Sequence, residues 1–245
     1  MKSTLPLALA LGLFGALAQP AEAASLRISP IGVDMPAGQR AASMTLVNTG
    51  ADPVSLQLRI FKWSQANGEE VLEPATDMLV SPPATTIPPG ASYTVRVARE
   101  SNAPVQNELS YRVFIDELPK PVDPRTVGQG VSMVLRTSLP VFVVDPKAFA
   151  KLSWKVWQDA SGLHADATNS GGRHAKITGL TVRPDGGAPL VFGAGLNGYV
   201  LAASHKRFDL KLDPKAKSLA PGTVVKLTAQ DDNMPVEESL HVESQ

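Results

Sequence analysis

The sequence predicts an all-β protein built as two β-sandwich domains, and three observations carry that prediction. Apolar and polar residues alternate with period two in run after run. Glycine and proline punctuate the chain between those runs. No segment combines 3.6-residue apolar spacing with helix caps. Many short strands with turns at this spacing build a sandwich or a barrel.

Leu26 to Val33 reads as one short extended segment. Ser43 to Asn48 alternates, with Met44 and Leu46 pointing one way, and Thr49-Gly50-Ala51-Asp52-Pro53 makes the next turn. In Val54 to Phe61 the residues Val54, Leu56, Leu58 and Ile60 share one face, opposite Ser55, Gln57 and Arg59, as in a half-buried strand. Pro82-Pro83 and Pro88-Pro89-Gly90 break the chain before Tyr93, Val95 and Val97 alternate with Thr94, Arg96 and Ala98. Ser110 to Leu118 is another strand, and Val131 to Val144 is an unusually long one. A boundary falls near Asp145-Pro146-Lys147. Beyond it, Leu152 to Val156, Gly162 to Asn169, Ala175 to Val182, Phe208 to Leu212 and Val224 to Ala229 form a second strand set. That set spans about 100 residues, the usual size of an immunoglobulin-like sandwich. The expected organisation is therefore a leader at 1–23, an N-terminal domain at 24–146 and a C-terminal domain at 147–245, with no strong internal repeat between the halves.

The leader rests on Lys2, the apolar run Leu5 to Leu17 and the small-residue site Ala21-Glu22-Ala23, the order found in a secretory signal peptide. The run is too short to span a bilayer. The expected location is outside the cytoplasm. The chain has no cysteine, so disulfides, thiolate metal sites and cysteine nucleophiles are excluded. Its 23 basic and 23 acidic residues balance, which argues against nucleic acid as a partner.

Several segments resemble the PapD-like periplasmic pilus chaperones. These are Pro36-Ala37-Gly38-Gln39-Arg40 with Met44 to Asn48, Ile87 to Arg96 around its proline–glycine turn, Tyr111 to Pro119 ending in an acidic residue, an aliphatic and a proline, and Leu139-Pro140-Val141-Phe142-Val143. In the second half, Asn169 to Ala175 resembles the family's Asn-rich turn. The similarity spans nearly the whole mature chain and is strongest from Ile28 to Phe142. Trp63, Ser110 to Pro119 and Leu139-Pro140 look most like the archaic branch of chaperone–usher systems. The resemblance implies two immunoglobulin-like sandwiches set in an L or boomerang, a periplasmic location, pilin subunits and an outer-membrane usher as partners, and neither cofactor nor small-molecule substrate. The family's classical members hold the subunit's terminal carboxylate with a basic residue in each of two strands. Here those positions fall on Gly32 and near Pro140, and neither side chain can donate a hydrogen bond.

A subunit lacking its last strand exposes an apolar groove and unpaired backbone groups. A donor must supply main-chain partners and alternate apolar side chains. Val131, Met133 and Leu135 sit at i, i+2 and i+4 and share a strand face, with Ser132, Val134 and Arg136 on the other. The alternative is that the three fill the protein's own core. The preceding stretch, Pro119 to Gly130, carries three prolines and two glycines. For the carboxylate, Arg112 is the first candidate anchor, since an arginine within an apolar strand needs a partner. The alternative pairs it with Asp116 or Glu117. Arg136 and Arg173 are further candidates, or else a solvated strand face and a polar turn. Pro140 either stiffens the end of the donor strand or simply terminates it.

No catalytic or metal signature appears. The four histidines, His164, His174, His205 and His241, form no i, i+2 or i, i+4 pair, and no G-x-S-x-G or P-loop is present. Gly193 to Gly198 spells G-x-G-x-x-G, but Tyr199-Val200-Leu201 follows as a strand where a dinucleotide site needs a helix. Asp231-Asp232-Asn233 reads as a solvated turn, and Trp63, Trp154 and Trp157 as packing residues. A secreted structural or adhesive two-domain module is the competing reading, and a hydrolase a weaker third.

Overall fold

The computed structural model describes residues 26–101, 103–119, 134–213 and 218–244. The expected leader, Val131 and Met133 lie outside the described residues. All regular structure among the described residues is strand, as expected. In the first half the strands are β1 (Leu26–Ser29), β2 (Val33–Pro36), β3 (Ala41–Asn48), β4 (Val54–Ala66), β5 (Glu69–Pro74), β6 (Met78–Ser81), β7 (Ala84–Ile87), β8 (Ser92–Arg99), β9 (Leu109–Glu117) and β10 (Arg136–Val144). One sheet runs β1-β3-β8-β6 and the other β2-β10-β9-β4-β5, with β7 beside β4.

The core between these sheets comes from the alternation read in the sequence. Met44, Leu46, Leu56, Leu58, Val95, Val97, Val113, Ile115, Leu139 and Val141 are buried in one apolar cluster. Tyr93 is the exception in its run, 40% exposed where the strand starts beyond the core. The single segment expected over Leu26 to Val33 is two strands. β1 pairs β3 in one sheet, and after Pro30-Ile31-Gly32 the chain enters the other sheet, where β2 runs parallel to β10. Proline and glycine interrupt the ladder where the chain changes sheets.

The second half contains β11 (Leu152–Asp159), β12 (Gly162–Asn169), β13 (Ala175–Pro184), β14 (Leu190–Val191), β15 (Leu196–Val200), β16 (Ser204–Leu210), β17 (Val224–Asp231) and β18 (Met234–Glu243). Their order is β14-β13-β17-β18-β11-β12-β16, with β15 beside β13. β18 joins the two layers, antiparallel to β17 and parallel to β11 at Val242 and Glu243. A second core of Val156, Leu163, Ala165, Ile177, Leu180, Val182 and Leu227 fills this sandwich.

The halves share one device. Asn48 ends β3 and Asn169 ends β12, each followed by a hydroxyl residue and a glycine. The buried Asn48 amide donates to the carbonyls of Asp52 (2.7 Å) and Ile87 (2.9 Å), and its oxygen accepts from Gly50 N. Asn169 does the same with the carbonyls of Arg173 (2.7 Å) and Val200 (3.1 Å), accepting from Gly171 N. Each asparagine thereby satisfies loop backbone groups that burial would leave unpaired. Gly171 must be glycine, since a Cβ there would lie 2.2 Å from the Phe149 carbonyl oxygen.

Candidate functional site

Two features stand out in the first half: one edge of β10 and the basic group behind it. β10 pairs β9 along its length, Arg136 opposite Asp116 through Val143 opposite Leu109. Its other edge pairs β2 only from Val141 to Val144. Among the described residues, the edge from Arg136 to Pro140 has no strand partner on that side. Leu135 continues the ladder, its carbonyl accepting from Glu117 N at 2.9 Å. By parity Leu135 shares the face of Leu139, Val141 and Val143, but those are buried while Leu135 is 39% exposed, because it lies past the end of the core.

Pro140 does not terminate the strand; β10 runs through it to Val144. It stands where pairing with β2 begins, opposite Arg112 on the other side. A proline has no N–H to give to a neighbouring strand. Gly32 lies against it, since a Cβ on Gly32 would meet Pro140 Cγ at 3.2 Å. The two positions where the resemblance would place basic residues are thus packed on each other.

Arg112 projects from β9 on the face away from the core. Its guanidinium carbon lies 3.8 Å from the Trp63 ring centroid and 5.7 Å from that of Tyr199. Its side chain is 16% exposed, and among the described residues the carboxylate within 4 Å of it is Glu70, at 3.6 Å. The Asp116 and Glu117 pairings considered from sequence do not form. Asp116 shares the face of Arg112, but four strand residues separate Cα atoms by about 13 Å, and Glu117 points the other way. Asp116 instead binds Arg136, directly opposite it, and Arg59 at 2.6 Å. Although burial works against its charge, hydrogen bonds from Arg136 and Arg59 hold the Asp116 carboxyl below the usual range. For Arg112 burial is the dominant influence and lowers its pKa, with Glu70 offsetting only part. The guanidinium is therefore desolvated, and the carboxylate that faces it among the described residues stands 3.6 Å away. Arg136 is 60% exposed and committed to Asp116. Arg173 pairs with Asp34 at 3.2 Å and bridges the two halves.

The halves also meet in a buried joint. Trp63, Phe142, Tyr199 and Leu201 form one cluster. Phe142 stacks on His174 with centroids 3.6 Å apart. The Glu108 side chain is fully covered, accepting from His174 Nδ1 at 2.7 Å, His174 N at 3.3 Å and Ser110 Oγ at 3.3 Å. Gln65 makes a two-point bond across the halves, donating to Tyr199 O (2.7 Å) and accepting from Leu201 N (2.9 Å). Sequence reading missed Glu70, Glu108, Gln65 and Tyr199, whose partners are remote in the chain.

In the second half, His164 sits between carboxylates. Its Nδ1 bonds Asp209, its Nε2 lies 3.0 Å from Asp159, and Ser161 Oγ is 3.1 Å from the same nitrogen. This is formally a Ser–His–Asp neighbourhood, but Asp159 occupies the place a catalytic triad leaves for the nucleophile. Burial opposes the histidine's charge, and hydrogen bonds to Asp159 and Asp209 outweigh it, raising the pKa. In the protonated state so favoured, both ring nitrogens donate and neither can act as a base. The cluster is a clamp from the β11–β12 turn to β16. Its stabilisation is fully present below the unfolded histidine's pKa of about 6.5 and is lost as pH rises through the higher folded value. Thermal melts across neutral pH should therefore show falling stability that Asp209→Asn flattens; an unchanged slope would remove His164 from that role. No metal-binding group of histidines and carboxylates occurs among the described residues. The glycine run passes directly into a strand, Leu196–Val200, where a dinucleotide site needs a helix.

Solved structures share the whole fold. The complex of the chaperone CsuC with the tip adhesion subunit CsuE, from the archaic chaperone–usher Csu pili of Acinetobacter baumannii, matches at 22% identity with TM-score 0.66, covering 91% of this chain and 100% of that one. The Salmonella enterica SafA pilin–SafB chaperone complex matches at 16% identity and TM-score 0.59, covering 90% and 96%. The E. coli chaperone DraB matches at 19% identity and TM-score 0.56, covering 90% and 97%. No curated protein matches in sequence. The family model for the N-terminal domain of PapD, of the pili and flagellar-assembly chaperones, matches residues 25–149, and the chain belongs to that chaperone family.

Proposed function

We propose that the protein is a periplasmic chaperone that completes pilin subunits by donor-strand complementation and delivers them to an outer-membrane usher, with 24–146 and 147–245 as its two domains. The observation that carries this reading is the β10 edge from Arg136 to Pro140, which has no strand partner on one side among the described residues. Such an edge offers the main-chain groups that a subunit lacking a strand requires. The exposed Val134 and Leu135 lead from it into the apolar stretch containing Val131 and Met133. Two of the structural matches are to complexes of a chaperone with a pilus subunit. The leader-like start of the chain supports export.

Arg112 is the anchor for the subunit's terminal carboxylate in this reading, because it is buried against Trp63 and its contact with Glu70 among the described residues is a long one, 3.6 Å. Coexpression with a pilin from the same organism should give a soluble one-to-one complex. Arg112→Met keeps the packing on Trp63 while removing the charge. It should weaken that complex by about 10- to 100-fold, the worth of a hydrogen bond to a charged group. Undiminished binding, read by titration calorimetry, would take Arg112 out of the site.

A further inference from the structure

The contact between Arg112 and Glu70 joins the candidate anchor to a hairpin that reaches across to the second half. β4 and β5 are connected by Asn67-Gly68, both at positive φ (54° and 80°), a tight two-residue turn. Gln65 stands opposite Glu70 in this ladder, so their side chains share a face. The hairpin is tied down on both sides of Glu70. Gln65 holds the backbone of Tyr199 and Leu201. At the tip, Gly68 O accepts from Arg207 N at 3.3 Å and Glu69 lies 3.6 Å from Arg207.

Glu70 is held differently from these fastenings. Its side chain is 35% exposed, and its oxygen is 3.6 Å from an Arg112 nitrogen. A charge-assisted hydrogen bond closes to about 2.7–2.9 Å. At that distance the carboxylate offsets the charge of Arg112 without a direct hydrogen bond to it, and solvent has access to the carboxylate. A carboxylate that bonded Arg112 directly would gain what Glu70 leaves unmade. The cost of displacing Glu70 is small, because its own side chain can turn to water.

We propose that Glu70 is an internal stand-in for the client's terminal carboxylate, held against Arg112 by the β4–β5 hairpin in the free protein and displaced when a client docks. This rests on the reading of Arg112 as the carboxylate anchor. Glu70 then keeps the buried cation neutralised until a subunit arrives and sets, by competition, how tightly a carboxylate is held.

Acetate is a sufficient probe, titrated into the full mature chain while the Trp63 indole N–H is followed by NMR, with acetamide as the neutral control. Glu70→Gln should bind acetate about 2- to 5-fold more tightly than wild type, the scale of a partly exposed ion pair. Glu73→Gln removes the same charge three strand positions away, on the opposite face of β5, and should leave the affinity unchanged. Arg112→Met should abolish the response, and acetamide should give none. Wild-type or weaker affinity in Glu70→Gln would overturn the proposal, since a residue that merely positions Arg112 would weaken binding when removed. An equal gain in Glu73→Gln would overturn it too, by reducing the effect to general charge. Acetate binding that survives Arg112→Met would instead reject the anchor itself, which separates the two failures.

Discussion

Serine at positions 131, 133 and 135 is expected to abolish recovery of a soluble complex with a pilin subunit while leaving the chaperone folded. In the donor-strand reading Val131, Met133 and Leu135 fill alternate pockets of the subunit's groove. Burial of one such side chain contributes about 1.5–3 kcal/mol. Even at the lower figure, losing all three corresponds to more than about a thousandfold in Kd, at roughly 1.4 kcal/mol per decade. Leu135 is 39% exposed, so its replacement removes little of the protein's own core. Urea denaturation of the variant alone should give the wild-type midpoint, and coexpression should yield aggregated or degraded subunit. An unaffected complex would reject the donor role. An unfolded variant would mean that the three residues belong to the protein's own core.

The second large effect is expected at the joint. Glu108→Ala should destabilise the protein by about 3 kcal/mol or more, because it leaves three covered donors without their acceptor at about 1–3 kcal/mol each. His174 Nδ1, His174 N and Ser110 Oγ would all lose their acceptor inside a site that excludes water. Replacing both partners by apolar groups of similar size, Glu108→Leu with His174→Phe, should recover most of the loss, since the added ring can stack on Phe142 as the imidazole does. Denaturation monitored separately by probes in each half would show the single variant uncoupling the two transitions. A loss under about 1 kcal/mol for Glu108→Ala, the range of an exposed pair, would mean that this contact does not hold the halves together.

The fold was largely legible because burial in a sandwich prints directly onto sequence. Val54, Leu56, Leu58 and Ile60 announced a strand face that packs into the core, and Tyr111, Val113 and Ile115 correctly put Arg112 on the opposite side. β5 and β18 were missed because their acidic residues, Glu69, Glu70 and Glu73 in one and Glu237 and Glu238 in the other, mask the alternation on half-exposed strands. The site was legible only where it is local. Leu135, Pro140 and Arg112 could be singled out from one or two adjacent strands. Glu108 and His174 are 66 residues apart, and Gln65 meets Tyr199 across 134, so nothing in the chain's local pattern points from one to the other. The equivalence of Asn48 and Asn169 was missed, although Asn-Thr-Gly and Asn-Ser-Gly repeat in the chain. Each follows the same turn chemistry, but the flanking strands share no residue pattern. It could have been found by asking which buried polar side chain closes each loop.

The free edge of β10 is the centre of the account, and amide hydrogen exchange reads it directly. With a pilin subunit bound, the edge-facing amides of Arg136 and Ser138, together with those of residues 131–135, should become strongly protected relative to the free chaperone, ending at Pro140, which has no amide to report; Thr137 and Leu139 already face β9. Unchanged exchange at those edge-facing amides, with new protection appearing on some other strand or loop, would contradict it.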